Sequence, residues 1–304
     1  VQDARRWVEP EATWWAEDKT SKVSMKHLKA TQAHGFPPSI QDPRRQSRRR
    51  AVPTAPAPSD GALRAVFETG TARGAHGALT AWYASRLPRD AGTVLDAMTG
   101  SGGLLIPLLE AGFKVHGADA SEAALARCSV RLESAGRSTQ LFRQSITALN
   151  LPFRYGAAFI ADGAVQSLTE RVAALDALLR VRAHLIGPGI LLLDLFVPDE
   201  AAHPPGAPVV ELSTLALADG SQIARRSETV VDTARRRSIV RSRFEQRDRT
   251  GVLAREDDVR EITWYVEDEI VALVGDAGYH DVRFEALPSH DGAQARHFAV
   301  SARA

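Results

Sequence analysis

Residues 93–120 read Thr-Val-Leu-Asp-Ala-Met-Thr-Gly-Ser-Gly-Gly-Leu-Leu-Ile-Pro-Leu-Leu-Glu-Ala-Gly-Phe-Lys-Val-His-Gly-Ala-Asp-Ala. An apolar strand (94–99) runs into a glycine turn at Gly100, Gly102 and Gly103. A short apolar helix (104–111) follows, then a second strand (114–118) that ends at Asp119. A strand–turn–helix–strand unit of this kind puts its turn at the carboxyl edge of a parallel sheet, where nucleoside-containing ligands bind. A carboxylate stands near the tip of each strand, Asp96 on the first and Asp119 on the second.

The two carboxylates discriminate among such ligands. In dinucleotide sites the glycine turn and the helix N-terminus hold a pyrophosphate and need positive potential. Asp96, just before the turn, would repel it. The same position suits a ligand that carries positive charge, such as the amino acid portion of S-adenosylmethionine with its ammonium and sulfonium. Asp119 stands where a carboxylate accepts both ribose hydroxyl protons. The run Asp96-Ala-Met-Thr-Gly100-Ser-Gly102 resembles the first motif of class I S-adenosylmethionine-dependent methyltransferases, acidic-x-Gly-x-Gly-x-Gly. Met98 stands at the motif's first glycine, so the turn must accept a side chain there.

Composition bounds the remaining choices. Hydrophobic residues make up 44% of the 304 and charged residues 25%, the balance of a soluble globular protein. A net charge of +1 gives no global attraction for nucleic acid or anionic membrane. No apolar run approaches the length of a membrane span, and charges interrupt the first residues where a signal-peptide core would stand. The single Cys128 excludes an internal disulfide and a cysteine-rich zinc site, and the nine histidines show no paired ligand spacing. The expectation is a cytoplasmic enzyme with no metal.

Residues 1–60 differ from the rest, with a basic run (Arg44, Arg45, Arg48, Arg49, Arg50) and a Pro/Ala stretch at 53–58. They show no sustained period and are expected to be a disordered extension, with a basic nucleic-acid-binding or targeting arm as the other reading. From residue 61 the pattern is globular. Helices are expected at 75–87, 121–135 (Ser121 as N-cap) and 168–185, and strands at 139–144, 155–161 and 190–196. This alternation implies a parallel sheet covered on both faces. Residues 207–264 break it, reading as four consecutive strands with turns at Asp219-Gly220 and Thr250-Gly251. A helix at 266–276 and two final strands (282–287, 297–302) complete the chain.

The family resemblance extends over about 75–304. Leu185-Ile-Gly-Pro-Gly-Ile-Leu-Leu-Leu-Asp-Leu-Phe is similar to the family's Pro-Gly-Gly turn and fifth strand, and the closing hairpin matches its antiparallel last strand. The resemblance implies an α/β fold: a Rossmann-like, mostly parallel seven-stranded sheet with helices on both faces, plus an antiparallel β insertion (207–264) acting as a lid. It implies S-adenosyl-L-methionine as cofactor, approached by Asp96, Gly100, Ser101 and Gly102, with Asp119 on the ribose and Ala120 beside the adenine. Ser145 and the Ile146 amide stand where the family often has an acidic residue near the adenine amine. Ala161 and Asp162 border the site of methyl transfer.

Asp162, Gln166 and His203 are the candidate polar groups for the acceptor, expected to be an N or O atom of a small molecule. Nucleic acid and membrane are not expected as partners, and the insertion's edge strands suggest a homodimer. A non-catalytic methyltransferase-like scaffold and a nicotinamide-dependent oxidoreductase are the alternatives. Asp96, the closing hairpin and Leu105, at the third glycine of a dinucleotide fingerprint, oppose the latter.

Overall fold

The structure is a computed structural model that describes residues 61–71, 75–199, 207–287 and 295–304. Strands β1 (Thr93–Asp96), β2 (Lys114–Asp119), β3 (Leu141–Arg143), β4 (Tyr155–Ile160) and β5 (Leu185–Pro198) pair in parallel. Strands β6 (Val209–Ala216), β7 (Gln222–Asp232), β8 (Arg237–Asp248) and β9 (Gly251–Thr263) form a separate antiparallel sheet in that order. Strands β10 (His280–Ala286) and β11 (Ala295–Arg303) rejoin the first sheet, whose order is β10-β11-β5-β4-β1-β2-β3. In that sheet β11 is antiparallel to both of its neighbours, β10 and β5.

Side-chain alternation builds a core on each face of the main sheet, because successive strand residues point to opposite sides. Val94, Ala157, Phe159 and Leu192 pack with α2 (Ala75–Arg86), α3 (Leu105–Glu110) and α4 (Glu122–Ser134). Their neighbours Leu95, Ala158, Ile160, Leu191 and Leu193 pack with α5 (Arg171–Ala183) and α6 (Glu267–Asp276). Each fully buried Leu, Ile or Phe among them contributes roughly 1.5–3 kcal/mol of transfer free energy. The anticipated cap of α4 is present, with Ser121 Oγ accepting the Ala124 amide at 3.2 Å.

Two features depart from expectation. The Gly187-Pro188-Gly189 turn does not precede β5 but lies within it. Tyr155 pairs with Leu185 and Ala157 with Ile190, so the intervening residues loop out of register and pairing resumes. Second, a helix α1 (Ala62–Thr71) lies against the antiparallel sheet, where Leu63 and Phe67 pack on Ile223 and Phe244. The Phe67 and Phe244 rings meet edge-on at 5.6 Å. Glu256 on β9 accepts the Leu63 and Arg64 amides at 2.8 and 3.3 Å, serving donors that the first helical turn leaves open. Among the described residues no helix is long and apolar enough to cross a membrane.

Candidate functional site

The carboxyl ends of β1, β2 and β4 open into a cleft of about 470 Å³, a size that takes a small organic ligand. Asp96, Met98, Thr99, Gly100, Ser101 and Asp119 line one side. Ala161, Asp162, Ala164 and Ser167 come from the segment after β4, and Arg64, Glu68 and Arg260 from α1 and β9.

Asp96 is 2% exposed. Its Oδ2 accepts the Thr99 hydroxyl at 2.8 Å, while Oδ1 is buried without a hydrogen-bond partner. Burial pushes its pKa up to about 8; the Thr99 hydroxyl and, more weakly, the Met98 backbone amide oppose this, and the nearby Asp162 and Asp119 charges add to it. A buried, unpaired carboxylate oxygen on a cleft wall is a costly arrangement that a cationic donor would relieve.

Asp119 ties the tips of β1 and β2 together. Oδ2 accepts the Gly100 amide and Oδ1 the Ser121 amide, each at 2.8 Å. Each oxygen keeps a second lone pair, enough for a pair of vicinal hydroxyls. The turn that Asp119 holds has left-handed φ at Gly100 (+53°) and Gly102 (+79°). A Cβ at Gly102 would lie 2.7 Å from the buried Cys128 Sγ, so this glycine is required by space as well as by φ. From α4, Arg131 donates to the Ser101 carbonyl at 2.6 Å and puts a cation on the cleft wall.

The segment after β4 is shaped by a second left-handed turn, Asp162 (φ +55°) and Gly163 (φ +63°). The Asp162 amide donates to Asp194 Oδ1 at 2.9 Å and the Gly163 amide to Oδ2 at 3.2 Å. Asp194 also accepts the Tyr83 hydroxyl at 2.6 Å. On the opposite wall Arg64 pairs with Asp258 (2.8 Å), and Arg260 with Glu68 (3.0 Å) and Asp258 (3.2 Å).

The structure brings Asp96, Gly100, Ser101, Asp119, Ala161 and Asp162 to one cleft, with Gly102 behind the turn. Ala120, Ser145 and Ile146 sit beyond the ends of β2 and β3, outside the cleft walls. Ser145 Oγ bonds to Thr147 Oγ1 at 2.9 Å, and Ile146 is buried. Gln166 requires a correction as an acceptor ligand. Its amide is fully buried, donating to the Phe196 and Thr263 carbonyls (2.8 and 2.9 Å) and accepting the Phe196 amide (2.8 Å). It clasps β5 to the end of β9, leaving no hydrogen free for a substrate. His203 lies outside the described residues. Sequence reasoning missed Thr99, Arg131, Tyr83 and Asp194. Of these only Asp194 had a signal, a carboxylate inside the most hydrophobic strand.

Asp96 and Asp119 thus give the cleft wall two carboxyl groups with acceptor capacity left over, one on each of the neighbouring strands β1 and β2. Comparisons with known proteins bear on the fold. Residues 94–184 match a family model described as a methyltransferase domain. Among solved structures, Streptomyces venezuelae DesVI aligns with a TM-score of 0.62 at 20% identity, over 78% of this chain and 96% of that one. An amino pentose methyltransferase of calicheamicin biosynthesis from Micromonospora echinaspora, CalS10, solved with S-adenosylmethionine bound, gives 0.60 at 21%, over 79% and 96%. The sugar N-methyltransferase KedS8 from a Streptoalloteichus species gives 0.61 at 17%, over 90% and 98%. These likenesses are of fold. No curated protein sequence matches the chain.

Proposed function

We propose that this chain, whose residues 94–184 match a methyltransferase-domain model, is a class I S-adenosylmethionine-dependent methyltransferase that methylates an amine nitrogen of a small polar acceptor such as an amino sugar. The observation that carries the reading is that three carboxyl groups from the sheet's carboxyl edge, Asp96 beside the glycine turn, Asp119 at the end of β2 and Asp162 after β4, line one cleft. The first two fit the cofactor's ammonium and ribose. The third is exposed and lines the same cleft, and in this reading it faces the acceptor. The printed descriptions of CalS10 and KedS8, an amino pentose methyltransferase and a sugar N-methyltransferase, support the acceptor class.

When bound, the cofactor supplies a methyl carbon already activated by its sulfonium. The chain's work is alignment, exclusion of water and handling of one proton. Asp96 orients the amino acid end, and Asp119 and the turn it holds fix the ribose. Asp162 binds the acceptor's ammonium and takes its proton, because only the neutral amine carries a lone pair for the displacement. Arg64, Glu68 and Arg260 close the cleft from the antiparallel side, the role expected of a lid. In the same reading β6 and β9, edge strands that expose Leu212 and Val259, form a homodimer contact, which light scattering would check as a doubled mass.

The test is label transfer from methyl-labelled cofactor to matched panels of amino sugars and their hydroxyl counterparts. Label on nitrogen, with kcat reduced at least about a hundredfold in Asp162→Asn, supports the proposal. Label on oxygen, or an Asp162→Asn variant with unchanged kcat, overturns it.

A further inference from the structure

Asp194 sits in the middle of β5 between Leu193 and Leu195, 3% exposed, and faces the uncharged Ala299 on β11. A carboxylate there must be supplied with donors or lose its charge. Three donors converge on it, the Tyr83 hydroxyl and the Asp162 and Gly163 amides. Tyr83 is itself fully buried on α2, its ring packed on Trp82 and Phe159 at 4.8 and 5.1 Å. The two amides belong to consecutive left-handed residues, a conformation that costs a non-glycine residue such as Asp162 about 1–3 kcal/mol unless its surroundings impose it. Paired amides of this geometry form a concave anion site, and here the anion is built into the neighbouring strand.

We propose that Asp194 and Tyr83 are positioning residues for methyl transfer: they hold the left-handed Asp162–Gly163 turn, and so fix Asp162 and Ala161 on the cleft wall, without touching cofactor or acceptor. The kinetic part of this proposal rests on the methyltransferase reading above; the structural part does not. Burial, with the nearby Asp162 charge, raises Asp194 to about 7, while Tyr83 and the two amides favour its charged form. Of the groups around the pair, Asp162 and Asp96 are the other charges felt at Tyr83, whose hydroxyl is pushed well above its ordinary value by burial and by Asp194. Ionised Asp194 accepts all three donors. Protonated Asp194 can donate to the Tyr83 oxygen, whose own hydrogen has the Ile160 carbonyl within 3.3 Å, but it is a weaker acceptor for the two amides, and the turn loosens as pH falls through about 7.

Amide hydrogen exchange across 161–167, corrected for intrinsic rates and followed from pH 5.5 to 8.5, tests this beside steady-state kinetics. Wild type is expected to gain protection with a midpoint near 7. Tyr83→Phe removes a donor to the charged form and moves that midpoint upward by about 1–2 pH units. Asp194→Asn abolishes the pH dependence and lowers kcat tenfold or more, with S-adenosylhomocysteine affinity within about twofold of wild type. An unmoved midpoint in Tyr83→Phe, or undiminished protection in Asp194→Asn, overturns the proposal. Should Asp194→Asn fail to fold, Tyr83→Phe decides through its midpoint and its kcat. Absence of turnover in wild type with the exchange pattern intact refutes the acceptor reading and leaves the turn-holding role standing.

Discussion

Loading the cleft with S-adenosylhomocysteine at pH 7 is expected to expel a proton from Asp96. Burial holds this carboxyl at about 8 in the free protein, so about nine molecules in ten carry the proton at pH 7. The ligand's ammonium, seated against the unpaired Oδ1, restores the charged form and returns the pKa to the ordinary carboxylate range or below. Binding at pH 7 therefore releases about 0.9 proton, and the observed affinity rises about fiftyfold between pH 6 and pH 8. Isothermal titration in two buffers of different ionisation enthalpy measures the proton count directly. In Asp96→Asn the release disappears, and affinity at pH 8 falls by about 3 kcal/mol, roughly a hundredfold, because the ammonium loses its buried counter-charge. Equal proton release in wild type and variant, or none in wild type, refutes the reasoning.

The same carboxyl makes a stability prediction of opposite sign. A folded-state pKa raised above the unfolded one gives a penalty that is absent below about pH 4 and grows as pH rises toward 8. Ligand-free Asp96→Asn should thus melt several degrees above wild type at pH 7.5 and no higher at pH 4, by calorimetry. Gly102→Ala places a Cβ 2.7 Å from Cys128 Sγ at φ +79° and should lose about 1–3 kcal/mol in denaturant unfolding; adding Cys128→Ala relieves the contact but not the φ, so only part returns. Gln166→Leu strands the Phe196 amide and two backbone carbonyls and should cost about 2–4 kcal/mol by the same method.

The main sheet was readable because β1, β2 and β4 follow glycine or proline closely and, with β5, alternate their side chains between two cores. The four strands of the antiparallel sheet were equally legible from their turns. Helix α1 was not: Leu63 and Phe67 stand at helical spacing, but the groups that bury and cap them, Phe244 and Glu256, are far away in sequence. The Gly187–Gly189 bulge was misplaced for a related reason: Gly-Pro-Gly signals a break locally, yet pairing with β4 resumes across it. In the site, Asp96 and Asp119 were visible because they end strands beside a glycine turn. Gln166 misled, since position along the sheet edge does not reveal that three backbone groups from β5 and β9 engage its amide. Arg131 and Tyr83 were invisible because helical side chains declare no target in sequence.

The position of the bound cofactor decides most about this cleft. A crystal structure with S-adenosylhomocysteine tests it: the ligand's ammonium is expected on Asp96 Oδ1 and its ribose hydroxyls on Asp119, with the sulfur facing Ala161 and Asp162. A ligand bound elsewhere, or one seated in the cleft with Asp96 Oδ1 still unpaired, would contradict it.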